Sequence, residues 1–157
     1  MKILGIDPGY GILGWAVIGS DRKVVELGSI KTSKEIPYPD RLLQIYSSLK
    51  EILSKHHPSV ASVEKVFFSK NTGTAIDVAK TIGVVQLALK LEGIDFFEYT
   101  PSQVKQAVTG YGKADKKQVE FMVMKIFNLS ESPGLDDVTD ALAIAACHWM
   151  NSGTKKL

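Results

Sequence analysis

The chain has 157 residues, 45% hydrophobic and 23% charged, enough for one domain with a sizeable core and ordinary for a soluble globular protein. Its apolar runs are too short to span a bilayer. One Lys leads straight into strand-like sequence, so neither a signal peptide nor a membrane partner is expected, and a single cysteine, Cys147, excludes an internal disulfide and fits a reducing cytoplasm. The net charge of +2 excludes a strongly basic tail, yet a basic surface around an acidic pit can hide in such a sum because the two cancel.

Lys2 to Asp7 reads as a central strand, since Ile3, Leu4 and Ile6 leave almost no polar alternation. Pro8-Gly9-Tyr10-Gly11 signals a turn. Ile12 to Ile18 and Lys23 to Ile30 read as two further strands, which so closely spaced make an antiparallel meander. Pro39-Asp40 opens a helix with Leu42, Ile45, Tyr46, Leu49, Ile52 and Leu53 at helical spacing, ended by His57-Pro58. Ser59 to Val66 is a fourth strand, placed by its helical crossover parallel to the first. A helix from Thr74 to Leu91 is apolar over more than one stripe, as in a helix that packs on more than its own core. Ile94 to Tyr99 is a fifth strand. Helices follow from Thr100-Pro101 to about Val108, from Asp115 to Phe127 and from Asp136 to about Met150, with Gly110-Tyr111-Gly112 breaking the chain between the first two. No repeat, linker or low-complexity tract interrupts this order. The prediction is a single α/β domain over residues 1–157 with a mixed five-stranded sheet, three strands in an antiparallel meander plus two parallel strands, flanked by helices.

The first strand ends in a carboxylate, Asp7, and a lone buried carboxylate is costly unless something compensates it. Ligand sites in such sheets sit at the carboxyl ends of parallel strands. Glu64 lies near the end of the fourth strand, where it would face Asp7 across a crevice. Asp137 and Asp140, three residues apart, share one face at the start of the last helix. That face continues through Ala141, Ile144 and His148 toward the protein. Taken singly, Asp7 before Pro-Gly is a common turn residue, and Asp136 or Asp137 is a common N-cap with Asp140 favoured by the helix dipole. Glu64 has no capping role. Together, four carboxylates cannot all stay ionised at close range without cations. Oxygen ligands on rigid elements suit Mg²⁺, or Mn²⁺ in its place. Two such ions roughly 3.5–4 Å apart can activate a water and stabilise the leaving oxygen of a phosphodiester.

IDPG (Ile6 to Gly9), VEKVFFSKN (Val63 to Asn71), YTPSQVKQAVTGYGKADKKQV (Tyr99 to Val119) and DDVTDALAIAACH (Asp136 to His148) follow one another without large insertions. Over essentially the whole chain this set resembles the RuvC family of bacterial Holliday junction resolvases, within the RNase H-like nuclease superfamily. The resemblance implies an RNase H-like fold and a crossover junction endodeoxyribonuclease acting in recombination and repair. It puts the family's catalytic and metal-binding acids on Asp7, Glu64, Asp137 and Asp140. It further implies a homodimer in the cytoplasm that nicks two strands of like polarity in a four-way junction, leaving 5′-phosphate and 3′-hydroxyl ends. The branch-migration complex of RuvA and RuvB is an implied partner. The over-apolar helix Thr74 to Leu91 is where the dimer contact is expected, with Gly83 permitting close approach or merely packing in the core.

The expected DNA-binding residues are Phe67, Phe68, Lys105, Lys113, Lys116 and Lys117. Adjacent strand residues point to opposite faces, so one of Phe67 and Phe68 is expected outside the core, where an aromatic can stack on unpaired bases or wedge a junction open. The resemblance favours Phe67, which matches the family's aromatic position; Phe68 reads equally as a packing residue. The resemblance also singles out Lys105 and Lys116 for phosphate contact, which positions DNA and makes binding salt-dependent. Lys113 and Lys117 flank the same glycine-broken loop, Lys65 and Lys70 are weaker extensions of the patch, and Tyr111 either meets DNA or packs locally. His56-His57 reads as a solvated helix exit, His148 as a packing or supporting residue, and Cys147 as core. Rival readings are an actin-like sugar kinase, which needs a second domain to close on ATP, a non-catalytic junction-binding module, which has no use for the acids, and a RuvX-like or RNA:DNA hybrid nuclease, against which the detail around Phe67 and Lys105 argues.

Overall fold

The structure is a computed structural model and describes residues 1–9, 11–66 and 72–153. Strand β1 (Lys2–Pro8) is buried along nearly its whole length because it lies in the middle of a five-stranded sheet covered on both faces. Strands β2 (Ile12–Gly19) and β3 (Val24–Lys31) run antiparallel beside it, and β4 (Val60–Glu64) and β5 (Asp95–Tyr99) run parallel to it, in the order β3-β2-β1-β4-β5. This is the mixed sheet the sequence predicts.

The two-residue period of a strand sorts side chains between two cores. Leu4, Ile6, Ala61 and Val63 pack on one face against helices α1 (Tyr38–His56) and α2 (Thr72–Leu91). Ile3, Ala16, Ile18 and Val60 pack on the other against α3 (Pro101–Thr109), α4 (Lys116–Phe127) and α5 (Asp136–Gly153). Helix α5 comes close enough to touch the strand backbones. A Cβ added at Gly5 would lie 2.2 Å from the Ala141 carbonyl oxygen, and one added at Gly14 would lie 2.0 Å from that of Asp137. Glycine inside a strand is costly in itself and marks such close approaches.

Several element ends differ from the sequence reading. Helix α1 begins at Tyr38, with Pro37 at the N-cap and Pro39 inside the first turn, where a missing N–H costs nothing. Strand β4 stops at Glu64, and its last sheet bond is Lys65 N–H to the Tyr99 carbonyl, 2.8 Å. The expectation of a solvated His56-His57 pair fails for His56. His57 takes the left-handed C-cap (φ 47°) and is exposed, while His56 continues the buried stripe of Ile45, Leu49 and Leu53 and packs beside Trp15. There it is 5% exposed, with Nε2 3.1 Å from the Glu26 carboxylate. Cys147 and His148 are buried as expected. His148 Nδ1 shares a 2.8 Å hydrogen bond with the Tyr99 hydroxyl.

Candidate active site

The alternation that builds the cores also aims the acids. Ile3, Gly5 and Asp7 in β1, and Val60, Ser62 and Glu64 in β4, all face α5. Ile3 pairs with Val60 and Gly5 with Ser62, so Asp7 and Glu64 come one step beyond the last paired residues, Ile6 and Val63, at the carboxyl ends of neighbouring parallel strands. Helix α5 is fixed over them by the glycine contacts and by Ser62 Oγ, which donates to the Ile144 carbonyl at 3.2 Å. The turn after Asp7 is tight: Gly9 N–H bonds the Asp7 carbonyl at 3.1 Å, and a Cβ on Gly9 would stand 2.5 Å from the Ile12 carbonyl oxygen and 3.4 Å from Asp137 Oδ1. The Asp137 carboxylate therefore lies against the turn that follows Asp7. Asp140, one helical turn on, lines a cavity of about 190 Å³ with Glu64, Lys105 and Lys116. Asp7 and Glu64 line a second cavity of about 490 Å³ together with Gly9, Lys65 and Thr74. Glu64 is common to both.

The electrostatics agree with this convergence. Asp7 is 8% exposed, and its carboxyl is pushed up to about 8, first by burial and then by Glu64, Asp140 and Asp137, with Lys116 opposing. Glu64 is raised by burial and by Asp140, against Lys105 and a hydrogen bond with Asp7. Asp140 is raised by burial and by Asp136 and Asp137, against Lys116 and Lys105. A group of carboxyls that raise one another's proton affinity is short of positive charge. Among the described residues, no three His, Cys, Asp or Glu side chains are gathered tightly enough to hold a metal ion by themselves. An all-oxygen, open donor set of this kind suits a hard cation that binds few carboxylates and completes its shell with water and substrate phosphate.

The lysines divide into two groups. Lys105 is half-buried at the cleft. Lys116 reaches the cleft from the first turn of α4 while its Nζ pairs with Asp136 at 3.0 Å, both side chains being largely exposed. Asp136 also raises the proton affinity of Lys116. Lys113 is exposed in the loop before α4, and Lys117 lines a different groove, with Tyr111. Phe67, Phe68 and Lys70 lie outside the described residues. Sequence reasoning missed two supports of the site. Gly14, whose contact seats Asp137, was readable as a glycine inside a strand. Arg41 is buried on α1, its Nε donating to Thr32 Oγ1 at 3.0 Å and its guanidinium lying against Gly11 in the turn after Asp7. Its place four residues before Ile45, on the stripe of Leu49 and Leu53, was the available signal, outweighed by the usual exposure of arginine.

Comparison with known proteins is consistent along the whole chain. The sequence profile of the family described as crossover junction endodeoxyribonuclease RuvC matches residues 3–148. A protein of that name from Alkaliphilus metalliredigens is 48% identical over 94% of this chain and 92% of its own length. Another from Brevibacillus brevis is 49% identical over 94% and 91%. Among solved structures, Thermus thermophilus RuvC superposes with a TM-score of 0.92 at 33% identity, covering 99% of this chain and 97% of that one. The same protein in complex with Holliday junction substrate gives 0.93 at 34%, covering 99% and 96%.

Proposed function

As a member of the RuvC family of crossover junction endodeoxyribonucleases, this chain resolves four-way DNA junctions, and we propose that it does so as a single nuclease domain with Asp7, Glu64, Asp137 and Asp140 as its catalytic acids. The observation that carries the assignment is the convergence of these carboxylates from β1, β4 and α5 at one cleft, with Lys105 and Lys116 at its rim. The donor set fits Mg²⁺, two per site with Mn²⁺ as substitute, held by the four acids; bound there, the ions supply the charge neutralisation and water activation that phosphodiester hydrolysis needs.

The chain's own residues do the rest. Burial of Asp7 and Glu64 on adjacent rigid strands fixes their separation before substrate arrives, so little reorganisation remains to be made. Asp140 and Asp137 close the site from the helix side. Lys105 and Lys116 place positive charge where a scissile phosphate must lie to reach the acids. The exposed Lys116–Asp136 pair is of a type worth only ~0–1 kcal/mol, so Lys116 exchanges Asp136 for phosphate at little cost. Cleavage leaves a 5′-phosphate and a 3′-hydroxyl.

Paired nicks require two sites. The outer face of α2 exposes Ile76, Leu87 and Leu91, and above Gly83 there is open space within 4 Å of an added Cβ. This face supports a homodimer whose twofold axis matches that of the junction. Action in the cytoplasm beside RuvA and RuvB belongs to the same reading. The test is a synthetic four-way junction with Mg²⁺: Asp7→Asn binds like wild type and does not cut, and equal cutting by both sinks the assignment.

A further inference from the structure

On the far side of α4 from the acids lies an open groove of about 420 Å³. Its floor is apolar, with Ala114 buried and Met122 half-buried, and its walls are two aromatics held out into solvent, Tyr111 (57% exposed) and Phe121 (59% exposed). Exposed aromatics of this size facing one groove are unusual for a surface with no ligand. The surrounding charge is positive. Lys117, Phe121 and Lys125 follow one another at four-residue spacing and so share a face of α4. Lys125 Nζ lies 5.5 Å from the centre of the Phe121 ring. Asp115 also lines the groove, but its carboxylate is turned to the helix, where Oδ1 accepts the Gln118 N–H at 2.8 Å.

Lys116 and Lys117 are consecutive, and they straddle the first turn of α4. The first faces the acidic cleft and the second faces the groove. Their Cα atoms are one peptide apart, ~3.8 Å, so positive charge continues from the cleft to the groove without a break. We propose that this groove is a second DNA-binding site, in which an unpaired nucleotide of the strand leaving the cleft stacks on Tyr111 and Phe121 while Lys117 and Lys125 hold its phosphates. Aromatic faces accept any base and basic side chains follow the backbone, so the site is tolerant of sequence. The inference rests on the reading of the acidic cleft as the cutting site only for the direction in which the strand runs.

The test is equilibrium binding of a fluorescent four-way junction in EDTA, where cutting is absent, across a salt series. Both aromatics are exposed, so Tyr111→Ala and Phe121→Ala should melt with wild type. Each is expected to weaken binding about tenfold, the range of one lost base-stacking contact, with an unchanged salt slope. Lys117→Gln is expected to lower the slope of log affinity against log salt by about 1. Unchanged affinity in the Tyr111→Ala/Phe121→Ala double variant overturns the proposal. Because binding is read without cleavage, that outcome is distinct from failure of the acidic cleft, which leaves binding intact and abolishes cutting.

Discussion

Replacing Asp7 with Asn removes one ionisable group from the acidic cluster and almost nothing of its shape. In the metal-free protein the Asp7 carboxyl titrates at about 8 in place of 3.8, because it is buried and faces Glu64, Asp140 and Asp137. The folded chain thus holds this proton more tightly than the unfolded chain does. The stability it contributes is complete below about pH 4 and is lost as the pH rises through 8. At ~1.4 kcal/mol per pH unit the loss by pH 7 reaches at most about 4 kcal/mol, and Asn escapes it. At ~2–4 °C per kcal/mol for a chain of this length, metal-free Asp7→Asn should melt about 5–15 °C above wild type at pH 7, with the difference closing toward pH 4. Magnesium should narrow the gap from the other side, since a cation at a hundred times its Kd stabilises wild type by ~2.7 kcal/mol and the variant by less. Differential scanning calorimetry in EDTA and in MgCl₂, at pH 4 and pH 7, reads both effects. A variant that melts at or below wild type in EDTA at pH 7 would refute the reasoning that these carboxyls share one field.

Gly14→Ala should force α5 away from β2, because the new Cβ would fall 2.0 Å from the Asp137 carbonyl oxygen. Overpacking of this kind costs ~1–3 kcal/mol, and the displaced Asp137 should abolish cutting while junction binding persists, read by a thermal melt beside a cleavage assay. Lys116→Ala should slow cleavage about 10²-fold at saturating junction, the usual effect of removing one fixed group from developing charge, measured by single-turnover kinetics. Leu87→Glu on the exposed face of α2 should shift the protein to monomer in sedimentation velocity. Burial holds His56 below the usual histidine range, so the stability it contributes is present above pH 6.5 and is lost as the pH falls through its folded-state value; His56→Gln should flatten the acid side of a stability–pH curve.

What could be read from the sequence was whatever a local pattern enforces. An unbroken apolar strand ending in Asp7 has to be central, and a helix opening with Asp137 and Asp140 on its core-facing side has to bring them to the sheet. The parallel setting of β4 to β1 followed from the crossover through α1, whereas the full strand order came only with the structure. Illegible features depend on contacts between distant residues. His56 is an exception: it lies on the stripe of Ile45, Leu49 and Leu53, so helical spacing marks it as inward and only its polar residue type disguises it. Lys116 meets Asp136 across 20 residues, so its partner emerges only from the packing of α4 on α5. Lys105 and Lys117 look alike in sequence, yet one borders the acids and the other a separate groove, because Lys117 lies on the face of α4 turned away from the cleft that Lys116 and Val119 line. Gly5 and Gly14 lay between the two cases, since their presence inside strands announces a close approach but not the helix that makes it.

The most direct measurement is junction cleavage and junction binding on the same samples of wild type, Glu64→Gln and Asp140→Asn, with Mg²⁺ present and absent. Paired nicks by wild type in Mg²⁺ alone, together with full binding and no nicks by either variant, are the predicted result. Nicking by either variant at the wild-type rate, or by wild type without any divalent cation, would contradict the account.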